Sequence, residues 1–177
     1  MKILFDSVYV HNGGGKEILD LIIHELIKRE LENNFHFLLD KRYVIPKSAN
    51  KKLDFTSILS SESNRKRFYI DNKGFKSYFC FGNVPPPISI NNPCTIYFHN
   101  DLLTNPFGTN LSLKDIFKNL FKKYYIKVKS QRNYIWCVQT NIMRRKLSNA
   151  YQIDEEKIKI YPIFDNNIIQ KNRTNDS

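Results

Sequence analysis

The sequence contains no apolar run near the ~20 residues that a bilayer-crossing helix needs. Met1 and Lys2 lead straight into strand-like sequence, so neither a membrane span nor a signal peptide is expected, and a cytoplasmic location follows. Cysteine is scarce. The three present, Cys80, Cys94 and Cys137, are odd in number, far apart and set among apolar neighbours. That pattern argues for buried free thiols, against a disulfide framework, and against a metal site, which would want closer ligand pairs. The sequons at Asn110 and Asn172 carry little weight without a secretory route. Acids are also few: 17 Asp and Glu face 28 Lys and Arg, for a net charge of +11.

What is present points to a packed protein. Hydrophobic residues make up 41% of the 177 and aromatics 14%, too much apolar matter for a disordered chain and enough for a substantial core. The positive charge is local. Residues 1–40 carry 4 basic and 7 acidic side chains, whereas residues 111–150 carry 10 and 1.

The most informative stretch is the opening: an apolar run, Ile3 to Val10, breaks at His11-Asn12 into Gly13-Gly14-Gly15 and then into a helical pattern from Lys16. Ile18, Leu19, Ile22, Ile23, Leu26 and Ile27 recur on one side of that pattern, with Asp20, His24 and Lys28 on the other. Strand-like runs follow at Phe35–Asp40, Phe55–Leu59, Ser77–Phe81, Cys94–Phe98, Tyr134–Val138 and Lys157–Tyr161. Helical patterns lie at Ser61–Asp71, Ser112–Arg132 and Asn141–Tyr151, and Pro85-Pro86-Pro87 demands a rigid loop. Alternation of this kind predicts a single Rossmann-like, doubly wound, mostly parallel α/β sheet over residues 1–164, followed by a polar tail, 165–177, that is either disordered or the start of a second domain.

Ligands of such sheets bind at the carboxyl ends of the strands. Three polar clusters fall there: Asn12 to Gly15, Gly82-Asn83, and His99-Asn100-Asp101. Consecutive glycines make a tight turn or, at a helix N-terminus, expose amides to an anion. They are not a dinucleotide fingerprint, because the third glycine position holds Ile18, nor a P-loop, because Lys16 is followed by Glu17. Asp40 nevertheless ends the second strand where a ribose-binding acid would stand, which keeps a nicotinamide-nucleotide-binding protein open. His99 is the best-placed general base or sugar-hydroxyl ligand, and His11 beside the glycine turn is a candidate substrate contact.

Ile3 to Asp6 with Asn12 to Gly15, Tyr97 to Asn100, and Val138 to Met143 followed by Lys157 to Phe164 resemble the N-terminal, acceptor-side half of GT-B glycosyltransferases of family 4. The resemblance spans roughly residues 2–164. It implies retaining transfer from a nucleotide-sugar donor to a glycan or lipid-linked acceptor, as in surface polysaccharide synthesis. On that resemblance Gly13, Gly14 and Gly15 approach the donor diphosphate and His99 holds the transferred sugar; Gln139, Thr140, Asn83 and Asn100 line the cleft. No metal or bound cofactor is implied. The family's glutamate pair belongs to a second, donor-binding domain; Glu17 and Glu25 have its spacing but lie in the first helix. The chain is therefore expected to be a truncated or split transferase, weak or inactive alone.

The basic stretch has a plain and a sharp reading. Between Ser112 and Arg132 seven basic side chains face one acid, Asp115, while Ile116, Phe117, Leu120, Phe121, Tyr124, Tyr125 and Val128 recur at helical spacing. Such a helix can pack its apolar stripe on the sheet and solvate its lysines. Alternatively Lys118, Lys122, Lys123, Lys127 and Lys129 face an anionic membrane, making the protein peripheral on its inner surface. Nucleic acid is the rival partner, disfavoured because no recognition motif accompanies the charge.

Overall fold

The computed structural model describes residues 1–105, 112–130 and 133–162. The sequons at Asn110 and Asn172, Arg132, Phe164 and the polar tail lie outside the described residues. The strands are β1 (Ile3–Ser7), β2 (Phe35–Asp40), β3 (Phe55–Ile58), β4 (Ser77–Cys80), β5 (Cys94–Phe98), β6 (Ile135–Val138) and β7 (Ile158–Ile160). The helices are α1 (Gly13–Lys28), α2 (Glu62–Asp71), α3 (Leu113–Lys129) and α4 (Asn141–Tyr151). All seven strands form one sheet in the order β3-β2-β1-β4-β5-β6-β7. Every pairing is parallel. This is a Rossmann-like, doubly wound α/β fold, as the alternation of patterns predicts.

A parallel sheet hides both faces, so alternate residues of each strand must enter two different cores. Leu4, Leu38, Ile96, Phe98, Trp136 and Val138 point to one side, where α2, α3 and α4 contribute Phe68, Tyr69, Ile126, Leu147 and Tyr151. Phe5, Phe37, Leu39, Tyr97 and Cys137 point to the other and meet Leu19 and Ile23 of α1. The second core is an aromatic row across the sheet. The Phe5 ring lies 5.2 Å from Phe37, 5.0 Å from Phe79 and 5.7 Å from Phe81. Phe81 in turn stacks on Tyr97 at 5.6 Å. The three cysteines are free and buried, as their surroundings predict.

One charge crosses this apolar interior. Asp6 on β1 is 2% exposed and Arg65 on α2 is not exposed at all. Arg65 Nε donates to Asp6 Oδ2 at 2.7 Å, and its other nitrogens donate to the carbonyls of Pro85 (2.7 Å) and Val84 (3.3 Å). Tyr69 adds its hydroxyl to Asp6 Oδ2 at 2.7 Å. Asp6 Oδ1 accepts the Val8 N–H at 3.3 Å, so each guanidinium nitrogen and each carboxylate oxygen has a partner, the condition under which a buried ion pair is tolerated. The pair ties the loop after β4 to the end of β1.

Candidate functional site

The strand order reverses direction between β1 and β4, and the crevice outside their carboxyl ends is where such sheets take ligands. A cleft of about 530 Å³ lies there. Asn12, Gly14 and Gly15 form one wall, Asn83, His99 and Asn100 the other, and Gln139 lies at the end. The three polar clusters thus converge on one rim.

The glycine wall is the start of α1. Asn12 occupies the cap position but makes no side-chain bond to the helix, and the first turn holds no acid. In contrast α2, α3 and α4 are capped by Ser61, Ser112 and Thr140. The leading amides of α1 therefore receive no side-chain acceptor from the cap residue, and the positive end of the helix dipole lies behind them. Gly13 adopts φ +60°, a conformation natural to glycine. At Gly15 the need is closeness: a Cβ there would come within 3.3 Å of His99 Nε2 and of Val10 Cγ1.

Asn83 organises the opposite wall. It adopts φ +66° and is buried, a left-handed conformation that asparagine accepts. Its Oδ1 accepts the backbone N–H groups of His99 (2.7 Å) and Asn100 (3.0 Å). Its amide Nδ2 lies 3.4 Å from His99 Nε2, which makes Nε2 the acceptor and puts the proton of the neutral ring on Nδ1. That Nδ1 is buried and has no partner. The His99 ring stacks on Phe81 at 5.1 Å, ending the aromatic row. Burial pushes its pKa down to about 4. His99 is neutral at pH 7, a poor proton acceptor but a sound hydrogen-bonding group.

Two other titratable groups line the cleft, Tyr9 and Asp101, and both are occupied; the Tyr9 hydroxyl donates to Glu62 at 3.2 Å. Asp101 accepts from Lys146 at 2.7 Å, and this bond above all holds its carboxyl below the usual range. The rim thus offers neutral hydrogen-bonding groups and an open helix N-terminus, which suits binding an anion better than removing a proton. Among the described residues no group of His, Cys, Asp and Glu side chains could hold a metal ion.

Several sequence candidates lie elsewhere. His11 turns to the end of β2, its Nδ1 3.5 Å from Asp40 Oδ2, and does not line the cleft. Thr140 accepts the Met143 N–H at 3.1 Å as the cap of α4. Asp40 is fully buried and already held: Arg42 donates to Oδ1 at 3.0 Å and to Oδ2 at 2.7 Å. Burial pushes Asp40 up, but these bonds outweigh it and hold the carboxyl below its usual value.

Of the lysines in the basic stretch, Lys118 and Lys127 are exposed, whereas Lys122, Lys123 and Lys129 are half-buried. Lys123 Nζ donates to the Thr104 carbonyl at 3.4 Å and Lys129 Nζ to the Pro87 carbonyl at 2.9 Å. Lys122 lines a second cavity of about 430 Å³ that shares Tyr9, Asn83 and Asn100 with the cleft. Sequence reasoning missed Tyr9, Arg65 and Glu62. Glu62 accepts from the hydroxyls of Tyr9 (3.2 Å) and Tyr125, joining the rim to α3. The signal for Arg65 was Asp6, a lone acid in a buried strand that has to find a cation.

Fold and geometry together define a Rossmann-like α/β domain with a polar-lined cleft at its topological switch point. No family model matches the sequence, and no curated protein matches it.

Proposed function

We propose that this domain binds a nucleotide-bearing, phosphate-containing ligand in the rim cleft, and that it acts as the acceptor-side half of a retaining, nucleotide-sugar-dependent glycosyltransferase. The observation that carries the reading is the N-terminus of α1, without a side-chain cap, which together with the neutral His99 lines a cleft of about 530 Å³. The amides of Gly14 and Gly15 suit a diphosphate whose negative charge grows as the sugar departs. His99 and Asn83 suit sugar hydroxyls. The acceptor is a glycan or a lipid-linked glycan, and transfer requires a second, donor-binding domain, so the chain alone is expected to bind its ligand weakly and turn over little.

A second reading has its own support. The order β3-β2-β1-β4-β5-β6 within the sheet is that of dinucleotide-binding domains, and Asp40 ends β2, where such domains carry a ribose-binding acid. For a nicotinamide nucleotide to bind in that mode, Asp40 must exchange Arg42 for a ribose. Titration calorimetry with UDP, GDP, their sugar conjugates, NAD and NADP separates the two. A nucleotide sugar that binds more tightly than either dinucleotide, and loses affinity in His99→Ala, supports transfer chemistry. Tighter NAD binding that Asp40→Ala abolishes sinks it and establishes the second reading.

A further inference from the structure

Helix α3 turns an apolar face outward. Leu113, Phe117, Phe121, Tyr124 and Val128 are 59–75% exposed, although they span the whole helix at spacings of four, four, three and four. At about 100° per residue the five fall within an arc of about 80°. Ile126, the one fully buried residue of α3, lies opposite the centre of that arc. The helix is thus anchored by its other side, through Ile126, Tyr125 to Glu62, and the inward lysines. Lys114 and Lys118 follow the ladder along one flank and Lys127 along the other, all exposed.

We propose that α3 docks this domain on an anionic lipid bilayer, with the five-residue ladder entering the interface and the flanking lysines meeting headgroup phosphates. Exposed apolar ladders of this size are uncommon on soluble surfaces. The arrangement is that of an interfacial helix: apolar centre, cationic edges, no acid beyond Asp115 in the first turn. A second copy of the chain fits worse, because residues 111–150 carry ten basic and one acidic side chain and would meet their like. A nucleic acid would want the cations at the middle of the face. Phe121 also lines the cavity that shares Tyr9, Asn83 and Asn100 with the rim cleft, so docking holds the cleft beside the bilayer surface. The proposal does not depend on which ligand the cleft takes.

The test is co-sedimentation of the full chain with vesicles of phosphatidylcholine alone and of phosphatidylcholine mixed with phosphatidylglycerol. Wild type is expected to pellet with the mixed vesicles and only weakly with the neutral ones. Phe117→Ser combined with Phe121→Ser should lower partitioning by about tenfold or more. Each of Lys114→Gln, Lys118→Gln and Lys127→Gln should cost about fivefold at low salt. Because these side chains are exposed, melting followed by circular dichroism should be unchanged, which shows the variants are folded. Absence of pelleting, equal binding to both vesicle types, or wild-type binding by the serine pair overturns the proposal. So does a dimer in sedimentation velocity that the serine pair dissolves, which would give the face to a second copy. Oligonucleotide binding lost in the lysine variants, with vesicles ignored, overturns it in favour of nucleic acid.

Discussion

Arg65 shows what one residue can hold in place. Its guanidinium joins α2, the end of β1 and the loop from Val84 to Pro85, directly after Asn83. Removing it strands Asp6 in the core, so Arg65→Met is expected to cost about 3–5 kcal/mol. Asp6→Ala on that background should recover part of the loss, read as a coupling energy from urea unfolding of the four members of the cycle. Purely additive losses would show that the pair is not coupled. Gly14 and Gly15 give a sharper contrast. A Cβ at Gly14 meets nothing within 4 Å, so Gly14→Ala should stabilise the chain by up to about 1 kcal/mol through helix propensity. Gly15→Ala gains the same propensity but presses on His99 and Val10, and is expected to weaken nucleotide binding more than Gly14→Ala does. Equal affinity in both variants, measured by calorimetry, would remove His99 from the site.

At the scale of elements, capping separates α1 from the others. Thr140→Ala deletes a bond to the Met143 N–H and should cost about 1 kcal/mol, whereas Asn12→Ala deletes no side-chain bond at the cap position and should cost clearly less. A denaturant series that gave equal costs would mean Asn12 caps α1 in solution, closing the anion site. The same elements show what could be read from residue order. β1, β2 and β5 were legible because each is an apolar run ending in polar residues, and the converging clusters followed from the parallel sheet. The orientation of α3 was not legible. Apolar residues occupy both its sides, Ile116, Leu120 and Ile126 inward and the ladder outward, so a single stripe from Ile116 to Val128 could not be assigned to the sheet. Three lysines expected to reach outward instead turn toward the body of the domain, two of them onto backbone carbonyls, because their long stems can reach acceptors that spacing alone does not reveal. Nor could spacing show that Asp40 is satisfied, since its partner Arg42 comes from the turn that follows it.

For the whole molecule, the burial that neutralises His99 couples the cleft to acid stability. Burial lowers this histidine from 6.5 to about 4. The unfolded chain therefore binds a proton that the folded chain refuses between those limits, and linkage makes stability fall as pH drops through that window. The histidine's contribution is complete above about pH 6.5, is reduced by about 2 kcal/mol at pH 5, and is lost by about 3 kcal/mol below pH 4. A second loss begins lower. Bonds from Lys146 to Asp101, and from Lys2 and His36 to Asp54 against the upward push of burial, hold both carboxyls below 3.8, so their contribution disappears only as pH falls beneath that value. Urea midpoints at pH 7 and pH 5 isolate the first limb. Wild type should lose stability between them, and His99→Gln, which cannot take up the proton, should lose about 2 kcal/mol less. An equal loss in both proteins would mean the ring is hydrated and already free to charge.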